Sequence, residues 1–296
     1  MPTTLEGSFV ALATPFKDGA VDEKNIRDLV KWHIESGTKG IIACGTTGEA
    51  PTLSLDEQSL VIRTIVEACD KKIPVFAGTG SNNTKHVIEV TKNAERCGAT
   101  GALVVCPYYN KPTQKGLYQH YKAVAESTSL EIIVYNIQGR TAINMETPTL
   151  AKLSEDFPNI IGVKESSGSL DQMTKTIRMC RKGFGMMSGD DNLIVPCMSV
   201  GGGGVISTVG NIIPKVTADI TKAALANDFH TATSLHLKYF PLFKAVFVES
   251  NPGPIKAAMA MMKLIGSPEV RLPMAEMDEP NRQYLEGVLK EFGLIK

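Results

Sequence analysis

The sequence has no surplus of charge, no long apolar run and no paired-cysteine motif. Lysine plus arginine and aspartate plus glutamate number 31 each, so no basic surface is available for a nucleic-acid backbone. The longest apolar stretches have the length of a strand, well short of a membrane span. The opening residues carry no basic segment typical of a signal peptide. We therefore expect a cytoplasmic protein that binds neither nucleic acid nor membranes.

The six cysteines and five histidines show no spacing typical of a metal or redox site. The cysteines are scattered through apolar segments without a CxxC pair, which predicts reduced thiols in the core. The histidines include no HxH or HExxH pattern. The sequence therefore predicts no metal and no organic cofactor.

Eight short apolar runs alternate with amphipathic stretches up to about residue 226. The runs are continuous rather than alternating, as expected for parallel strands that are covered on both faces. The runs lie at 9–13, 40–44, 74–77, 102–106, 131–135, 160–164, 185–188 and 204–207. Between them, residues 22–36 and 56–69 place their apolar side chains on one helical face. Ser54 and Glu57 predict a capping box, and Pro214 suits a first helical turn.

The eight strand–helix repeats predict an α/β fold, a (β/α)8 TIM barrel with a C-terminal helical extension. We place the barrel in residues 1–226 and expect residues 227–296 to form three further helices packed on it. A doubly wound open sheet is the structural alternative. It is disfavoured because no GxGxxG motif follows the first strand and because the repeats number eight.

Lys164 is the most informative residue, because active sites of such barrels lie at the carboxyl ends of the strands. It closes the run at 160–164 and is expected to point into the barrel mouth. Burial disfavours the charged ammonium, and a neutral amine can attack a ketone and form an imine. The alternative is a lysine that only pairs with a carboxylate.

Other polar residues also end predicted strands. Tyr135 could move the protons that imine formation requires, or it could be a packing residue. Thr46 and Thr47 lie in a glycine-flanked turn that could hold a carboxylate or relay a proton, or that only makes the turn. The glycine run at 201–204 could approach a phosphate, although such runs more often mark a tight turn.

In this order and spacing, these residues resemble the pyruvate-dependent lyase family, which includes neuraminate lyases, 2-keto-3-deoxygluconate aldolases and dihydrodipicolinate synthases. The resemblance covers almost the whole chain. It is carried by segments 13–16, 45–49, 108–110, 135–136, 162–165, 188–191 and 204–207.

The resemblance implies that Lys164 forms a Schiff base with pyruvate and that Tyr135 is the acid and base. It also implies that Thr46 and Tyr109 complete a proton relay. Tyr109 would reach into the partner subunit, which implies a homodimer or a homotetramer.

The resemblance also implies how substrates are held. The backbones of Thr47 and Ile206 would hold the pyruvate carboxylate and the enamine, and Gly189 would line the pocket. The threonine pair, the doubled tyrosine and Arg140 resemble the dihydrodipicolinate synthase branch, in which the arginine grips L-aspartate 4-semialdehyde by its carboxylate. The expected reaction condenses pyruvate with this semialdehyde to 4-hydroxy-tetrahydrodipicolinate, in lysine biosynthesis.

The loop that carries the arginine departs from the family pattern at Gln138 and Ala142. Another aldolase, acting on a 2-keto-3-deoxy sugar acid or a 4-hydroxy-2-oxo acid, is therefore the enzymatic alternative. A pyruvate-binding regulator or scaffold is the non-enzymatic one. Leu55, Gln58 and His86 stand at positions that match the lysine-sensing site of some relatives, and they predict weak or absent inhibition by lysine.

Overall fold

The computed structural model describes residues 3–296, in which eight parallel strands close into a barrel. The strands are β1 Gly7–Ala11, β2 Gly40–Ala43, β3 Val75–Gly78, β4 Gly101–Val105, β5 Glu131–Asn136, β6 Ile160–Glu165, β7 Gly185–Ser188 and β8 Gly204–Ser207. Each strand pairs with the next one along the chain, and β8 pairs with β1 to close the ring. The predicted (β/α)8 barrel is confirmed, and the open sheet is excluded.

Helices follow the strands around the outside of the barrel. They are α1 Glu23–Glu35, α2 Leu55–Cys69, α3 Thr84–Arg96, α4 Gln114–Ala125, α5 Gln138–Thr141, α6 Thr147–Asp156, α7 Leu170–Met179, α8 Ile194–Ser199 and α9 Pro214–Leu225. Two short strands, Phe16–Lys17 and Ala20–Val21, form a hairpin before α1. Single 3-10 turns lie at Ala50–Thr52, Asp191–Leu193 and Val209–Asn211.

Three more helices follow the barrel: α10 Phe229–Ala245, α11 Gly253–Met261 and α12 Glu279–Glu291. α10 packs on α8 and α9, and α12 packs on α10 and α11. The C-terminal helical extension expected from the sequence is therefore present and rests against the barrel. Within residues 3–296, no helix is long and apolar enough to cross a membrane.

The helix-start signals of the sequence are present at the helix ends where they were predicted. Ser54 accepts a hydrogen bond from the Glu57 N–H, and the Glu57 carboxylate accepts one from the Ser54 N–H, which completes the predicted capping box of α2. Pro214 lies in the first turn of α9. The glycine run at 201–204 leads into the amino end of β8, away from the barrel mouth. A Cβ on Gly204 would lie 1.9 Å from the Gly7 carbonyl oxygen, so this run is a tightly packed turn.

Alternate strand residues belong to two apolar layers, one inside the barrel and one between the strands and the helices. Ile133 and Tyr135 belong to the cluster inside the barrel, whereas Ile132 and Val134 belong to the layer between strands and helices. On β6, Val163 belongs to the outer layer. Because successive strand residues face opposite sides, the next residue, Lys164, faces the barrel interior.

His33 of α1 is buried, and its burial predicts a pH dependence of stability. The ring Nδ1 lies 3.1 Å from Thr38 Oγ1, and Nε2 has no hydrogen-bond partner among residues 3–296. Burial lowers the pKa of His33 from its usual 6.5 to about 3. Since the folded-state pKa lies below the unfolded one, the neutral ring stabilises the fold fully above pH 6.5. This contribution is lost as the pH falls toward 3, at about 1.4 kcal/mol per pH unit.

We expect His33→Gln to flatten this pH dependence, because glutamine keeps a partner for Thr38 but does not titrate. The measurement is the free energy of unfolding in urea between pH 7 and pH 4, at one protein concentration. His230→Gln is the control, because His230 is exposed. Equal slopes for His33→Gln and the wild type would contradict the prediction.

Candidate active site

The carboxyl ends of β5 and β6 bring Tyr135 and Lys164 side by side inside the barrel. The two residues are register partners, and Lys164 Nζ lies 4.3 Å from the centroid of the Tyr135 ring. Lys164 is 4% exposed and Tyr135 is 6% exposed. Among residues 3–296, Lys164 forms no ion pair, although its charge partly offsets the rise that burial causes in the pKa of Asp190. An amine held against an apolar ring and shielded from water suits imine chemistry.

Gly189 leaves room for the lysine side chain at the end of β7. Its N–H donates to the Glu165 carbonyl oxygen at 2.8 Å, which fixes the loop against β6. A Cβ on Gly189 would lie 1.9 Å from Ser166 Oγ and 3.0 Å from Lys164 Cε. No larger residue fits there without moving the Ser166 side chain.

Thr46 and Thr47 lie in the turn that follows β2. Thr47 is buried, and its hydroxyl accepts a hydrogen bond from Asn251 Nδ2 at 3.0 Å. Thr46 is partly exposed at the mouth, and its carbonyl accepts from the Glu49 N–H at 3.1 Å. Glu49 ends the turn in the left-handed region, with φ at 54°.

Arg140 lies in the one-turn helix α5 and is held from the C-terminal extension. Its Nη2 donates to the Asn251 carbonyl oxygen at 3.2 Å. Gln138 and Ala142, the two residues that depart from the family pattern, lie at the two ends of this turn. The Ala142 N–H donates a hydrogen bond to the Gln138 carbonyl oxygen at 2.8 Å. Ala142 has φ at 59°, a conformation that favours glycine and that strains alanine by about 1 kcal/mol. The loop therefore aims Arg140 at the mouth despite its altered sequence.

Of the predicted relay residues, Thr46 and Tyr135 line the cavity of their own chain, whereas Tyr109 does not. It stands on the loop after β4 with φ at 72° and is 88% exposed. Its neighbour Tyr108 lines the mouth instead. Ile206, by contrast, is fully buried on β8 inside the barrel, opposite Phe9 of β1.

A cavity of about 470 Å³ opens at the barrel mouth. Its polar wall includes Thr46, Glu49, Tyr135, Arg140 and Asn251. The cavity continues along α2 and α3, where Gln58 and His86 line it. Lys164, Thr47, Gly189 and Ile206 are not among the residues that line this cavity, whereas Tyr135, whose ring lies beside Lys164 Nζ, is.

Sequence reasoning missed Asn251, which touches both Thr47 and Arg140. The residue is buried, and its Oδ1 has no hydrogen-bond partner within residues 3–296. It lies more than two hundred positions from Thr47, in the segment between α10 and α11. No spacing in the sequence could have connected the two.

A buried ion pair beneath the threonine turn was also missed. Lys256 Nζ of α11 lies 2.7 Å from Glu49 Oε1, and the two side chains are 0% and 2% exposed. Glu49 Oε2 accepts from the Arg271 N–H at 2.9 Å, and Lys256 Nζ lies 4.1 Å from the Phe16 ring centroid. Burial lowers the pKa of Lys256, and the Glu49 charge partly offsets this effect. The pair fixes the turn from below.

Buried carboxylates hold the strand ends on the outer side. Glu165, next to Lys164, accepts from Asn136 Nδ2 at 3.0 Å and from Gln172 Nε2 at 3.0 Å. Burial raises the pKa of Glu165, and these donors partly offset the shift. Asp191 similarly accepts from the Ser207 hydroxyl at 2.5 Å, so the residue after Ile206 is held by the 3-10 turn that follows β7.

Comparison with known proteins places the whole chain among related enzymes. The model of the dihydrodipicolinate synthetase family matches residues 4–292. The 4-hydroxy-tetrahydrodipicolinate synthase of Persephonella marina is 47% identical over 291 residues, which cover 98% of this chain and 99% of that protein. The corresponding synthase of Syntrophus aciditrophicus is 49% identical over 290 residues, with coverage of 98% and 99%. The dihydrodipicolinate synthase of Acinetobacter baumannii, solved in complex with pyruvate, superposes with a TM-score of 0.96 at 45% identity, covering 99% of this chain and 100% of that chain.

Proposed function

Because the chain belongs to the dihydrodipicolinate synthetase family, we propose that it condenses pyruvate with L-aspartate 4-semialdehyde to 4-hydroxy-tetrahydrodipicolinate. This reaction would serve lysine biosynthesis in the cytoplasm. The observation that carries the proposal is the buried Lys164 amine, held 4.3 Å from the Tyr135 ring at the barrel mouth. The site needs neither a metal nor an organic cofactor for this chemistry.

The first half of the reaction takes place on Lys164. The neutral amine attacks the pyruvate ketone, and the carbinolamine loses water to give an imine. The Tyr135 phenol moves the protons of both steps, because it lies beside the amine at the entrance to the cavity. Thr46 of the same chain and Tyr109 of the partner subunit would link this phenol to solvent. Loss of a methyl proton then gives the enamine.

The second half forms the carbon–carbon bond. The enamine carbon attacks the aldehyde carbon of the semialdehyde and regenerates the imine. The amino group of the semialdehyde then attacks the imine carbon, which closes the ring and frees Lys164. During these steps the backbones of Thr47 and Ile206 hold the pyruvate carboxylate, and Gly189 leaves space beside the lysine.

Arg140 would select the second substrate. One of its five N–H groups is bonded to Asn251, so further donors are available to grip a carboxylate bidentately. We expect Arg140→Ala to raise KM for the semialdehyde about 10- to 100-fold and to leave KM for pyruvate within about twofold. Steady-state kinetics with each substrate varied in turn measure both constants. Arg140→Lys keeps the positive charge but lacks the planar guanidinium that binds a carboxylate bidentately, so its KM for the semialdehyde should lie between those of the wild type and Arg140→Ala.

A direct comparison of reactions tests the proposed function. The second candidate is an aldolase that cleaves a 2-keto-3-deoxy sugar acid or a 4-hydroxy-2-oxo acid, and it rests on the departures at Gln138 and Ala142 in the loop that carries Arg140. The wild-type protein is assayed for condensation of pyruvate with L-aspartate 4-semialdehyde and for cleavage of both classes of acid. We expect condensation to be the faster reaction by far. Cleavage without condensation would overturn the proposal.

The same proposal covers assembly and inhibition. The exposure of Tyr109 supports a homodimer or a homotetramer in which this side chain completes the partner's relay. Inhibition by lysine should be weak or absent, because Leu55, Gln58 and His86 place no carboxylate at the matching positions to pair with a cationic ligand.

A further inference from the structure

Asn251 lies in the cavity wall and bonds to both Thr47 and Arg140. Its Nδ2 donates to the Thr47 hydroxyl at 3.0 Å, and its backbone carbonyl accepts from Arg140 Nη2 at 3.2 Å. The residue is 4% exposed, and its Oδ1 is buried and accepts no hydrogen bond from any group within residues 3–296. An acceptor without a partner, on a residue that lines a cavity, indicates that a ligand group completes it.

The bond between Asn251 and Arg140 indicates which ligand group this is. Under the proposed function, Arg140 grips the carboxylate of the semialdehyde, and the α-amino group is attached to the same carbon as that carboxylate. The amino group therefore binds close to the guanidinium, which is itself bonded to the Asn251 carbonyl oxygen. The χ2 torsion of asparagine is broad, so a small turn of the amide can present Oδ1 to the cavity while Nδ2 stays near Thr47.

The carboxylate in the cavity wall is already engaged. Within residues 3–296, Glu49 is the one acidic residue that lines the cavity, and its Oε1 lies 2.7 Å from Lys256 Nζ. Its Oε2 accepts from the Arg271 N–H at 2.9 Å. A neutral acceptor suits the reaction, because the amine must be unprotonated when it attacks the imine carbon. A carboxylate would favour the protonated amine, whereas the Asn251 amide accepts a hydrogen bond without adding charge.

We propose that Asn251 Oδ1 accepts a hydrogen bond from the α-amino group of the second substrate and thereby selects an amino-acid semialdehyde over a semialdehyde without the amine. This role rests on the proposed function. Arg140 and Asn251 divide the recognition of one carbon atom, because the guanidinium binds its carboxylate and the amide binds its amine. A substrate that lacks the amine leaves the Asn251 oxygen without a partner, and a buried acceptor left unpaired weakens binding.

The experiment compares L-aspartate 4-semialdehyde with succinic semialdehyde, which has hydrogen in place of the amine. The full chain is loaded with pyruvate, mixed with either aldehyde and quenched with borohydride at set times. Mass spectrometry follows the loss of the three-carbon adduct, which reports carbon–carbon bond formation with both aldehydes. The concentration of each aldehyde that gives half the maximal rate is measured.

The ratio of these two concentrations, succinic to aspartate semialdehyde, measures the preference for the amine. For Asn251→Ala we expect this ratio to fall roughly 10- to 50-fold, because one hydrogen bond to the amine is lost. The variant also loses the bond to Thr47, but both aldehydes react with the same pyruvate adduct, so that effect cancels in the ratio.

Three further variants separate the amine contact from other effects. Asn251→Asp keeps the size and an acceptor, and its charge attracts an ammonium group, so the ratio should stay at or above the wild-type value. Arg140→Ala should weaken both aldehydes in about the same proportion, because both carry the carboxylate. Ser250→Ala is the matched control, because this neighbouring side chain is exposed and should change neither concentration.

Two results would overturn the role of Asn251. One is a wild-type ratio close to one; the other is a ratio that Asn251→Ala leaves at the wild-type value, even if both aldehydes bind more weakly. Should Asn251→Ala fail to trap pyruvate, Asn251→Asp decides instead, because a ratio below the wild-type value would contradict an acceptor for the amine. Failure of the proposed function is distinguishable, because the wild-type protein would then trap pyruvate but consume neither aldehyde.

Discussion

Lys164→Ala is expected to abolish covalent trapping of pyruvate and to lower condensation by roughly 10⁴-fold or more, because the nucleophile of the first step is removed. In the wild type, borohydride reduction with pyruvate should add the mass of one reduced three-carbon acid per chain. Intact-mass spectrometry measures the adduct, and peptide mapping should place it on Lys164. Tyr135 lines the cavity and lies beside this amine, whereas Lys256, which is also buried, is paired with Glu49.

Tyr135→Phe is the matched control for that experiment. It keeps the ring beside the amine but removes the phenolic hydroxyl that moves the protons. We expect the same adduct to form more slowly, by about 10²- to 10⁴-fold. An adduct on Lys164→Ala as large as the wild-type one would contradict the Schiff-base assignment and would point to another amine.

Much of the barrel and of the inner site could be predicted because both depend on local pattern. Continuous apolar runs mark strands that are covered on both faces, and the strand period of two then decides which side chain faces inward. Lys164 and Tyr135 end neighbouring runs, so their proximity follows from the fold alone.

The outer parts of the site depend on contacts that no local pattern encodes. Asn251 and Lys256 reach the threonine turn from a segment about two hundred positions away, and only the packing of α10 and α11 on the barrel brings them there. Tyr109 stands outside the cavity of its own chain, so its predicted role depends on a partner subunit. The sequence shows that Ala142 departs from the family pattern, but only the backbone shows its left-handed conformation.

Lys256→Met is expected to destabilise the protein by about 3–5 kcal/mol, because it leaves the Glu49 carboxylate buried without its counter-charge. Among residues 3–296, the carboxylate would keep only the Arg271 N–H as a partner. Since Glu49 ends the turn that carries Thr46 and Thr47, we also expect KM for pyruvate to rise. Urea unfolding at one protein concentration measures the stability, and steady-state kinetics measure KM.

Two further variants separate an unpaired buried charge from the loss of a lysine as such. Glu49→Gln combined with Lys256→Met removes both charges and keeps an acceptor for Arg271, so it should recover most of the lost stability. Lys24→Met breaks an ion pair of the same length, 2.7 Å to Asp28, on the exposed face of α1 and should leave unfolding unchanged. If Lys256→Met and Lys24→Met unfold at the same urea concentration, the buried pair does not stabilise the turn. If the double variant is no more stable than Lys256→Met, the loss comes from side-chain packing, because neutralising the charge should otherwise restore stability.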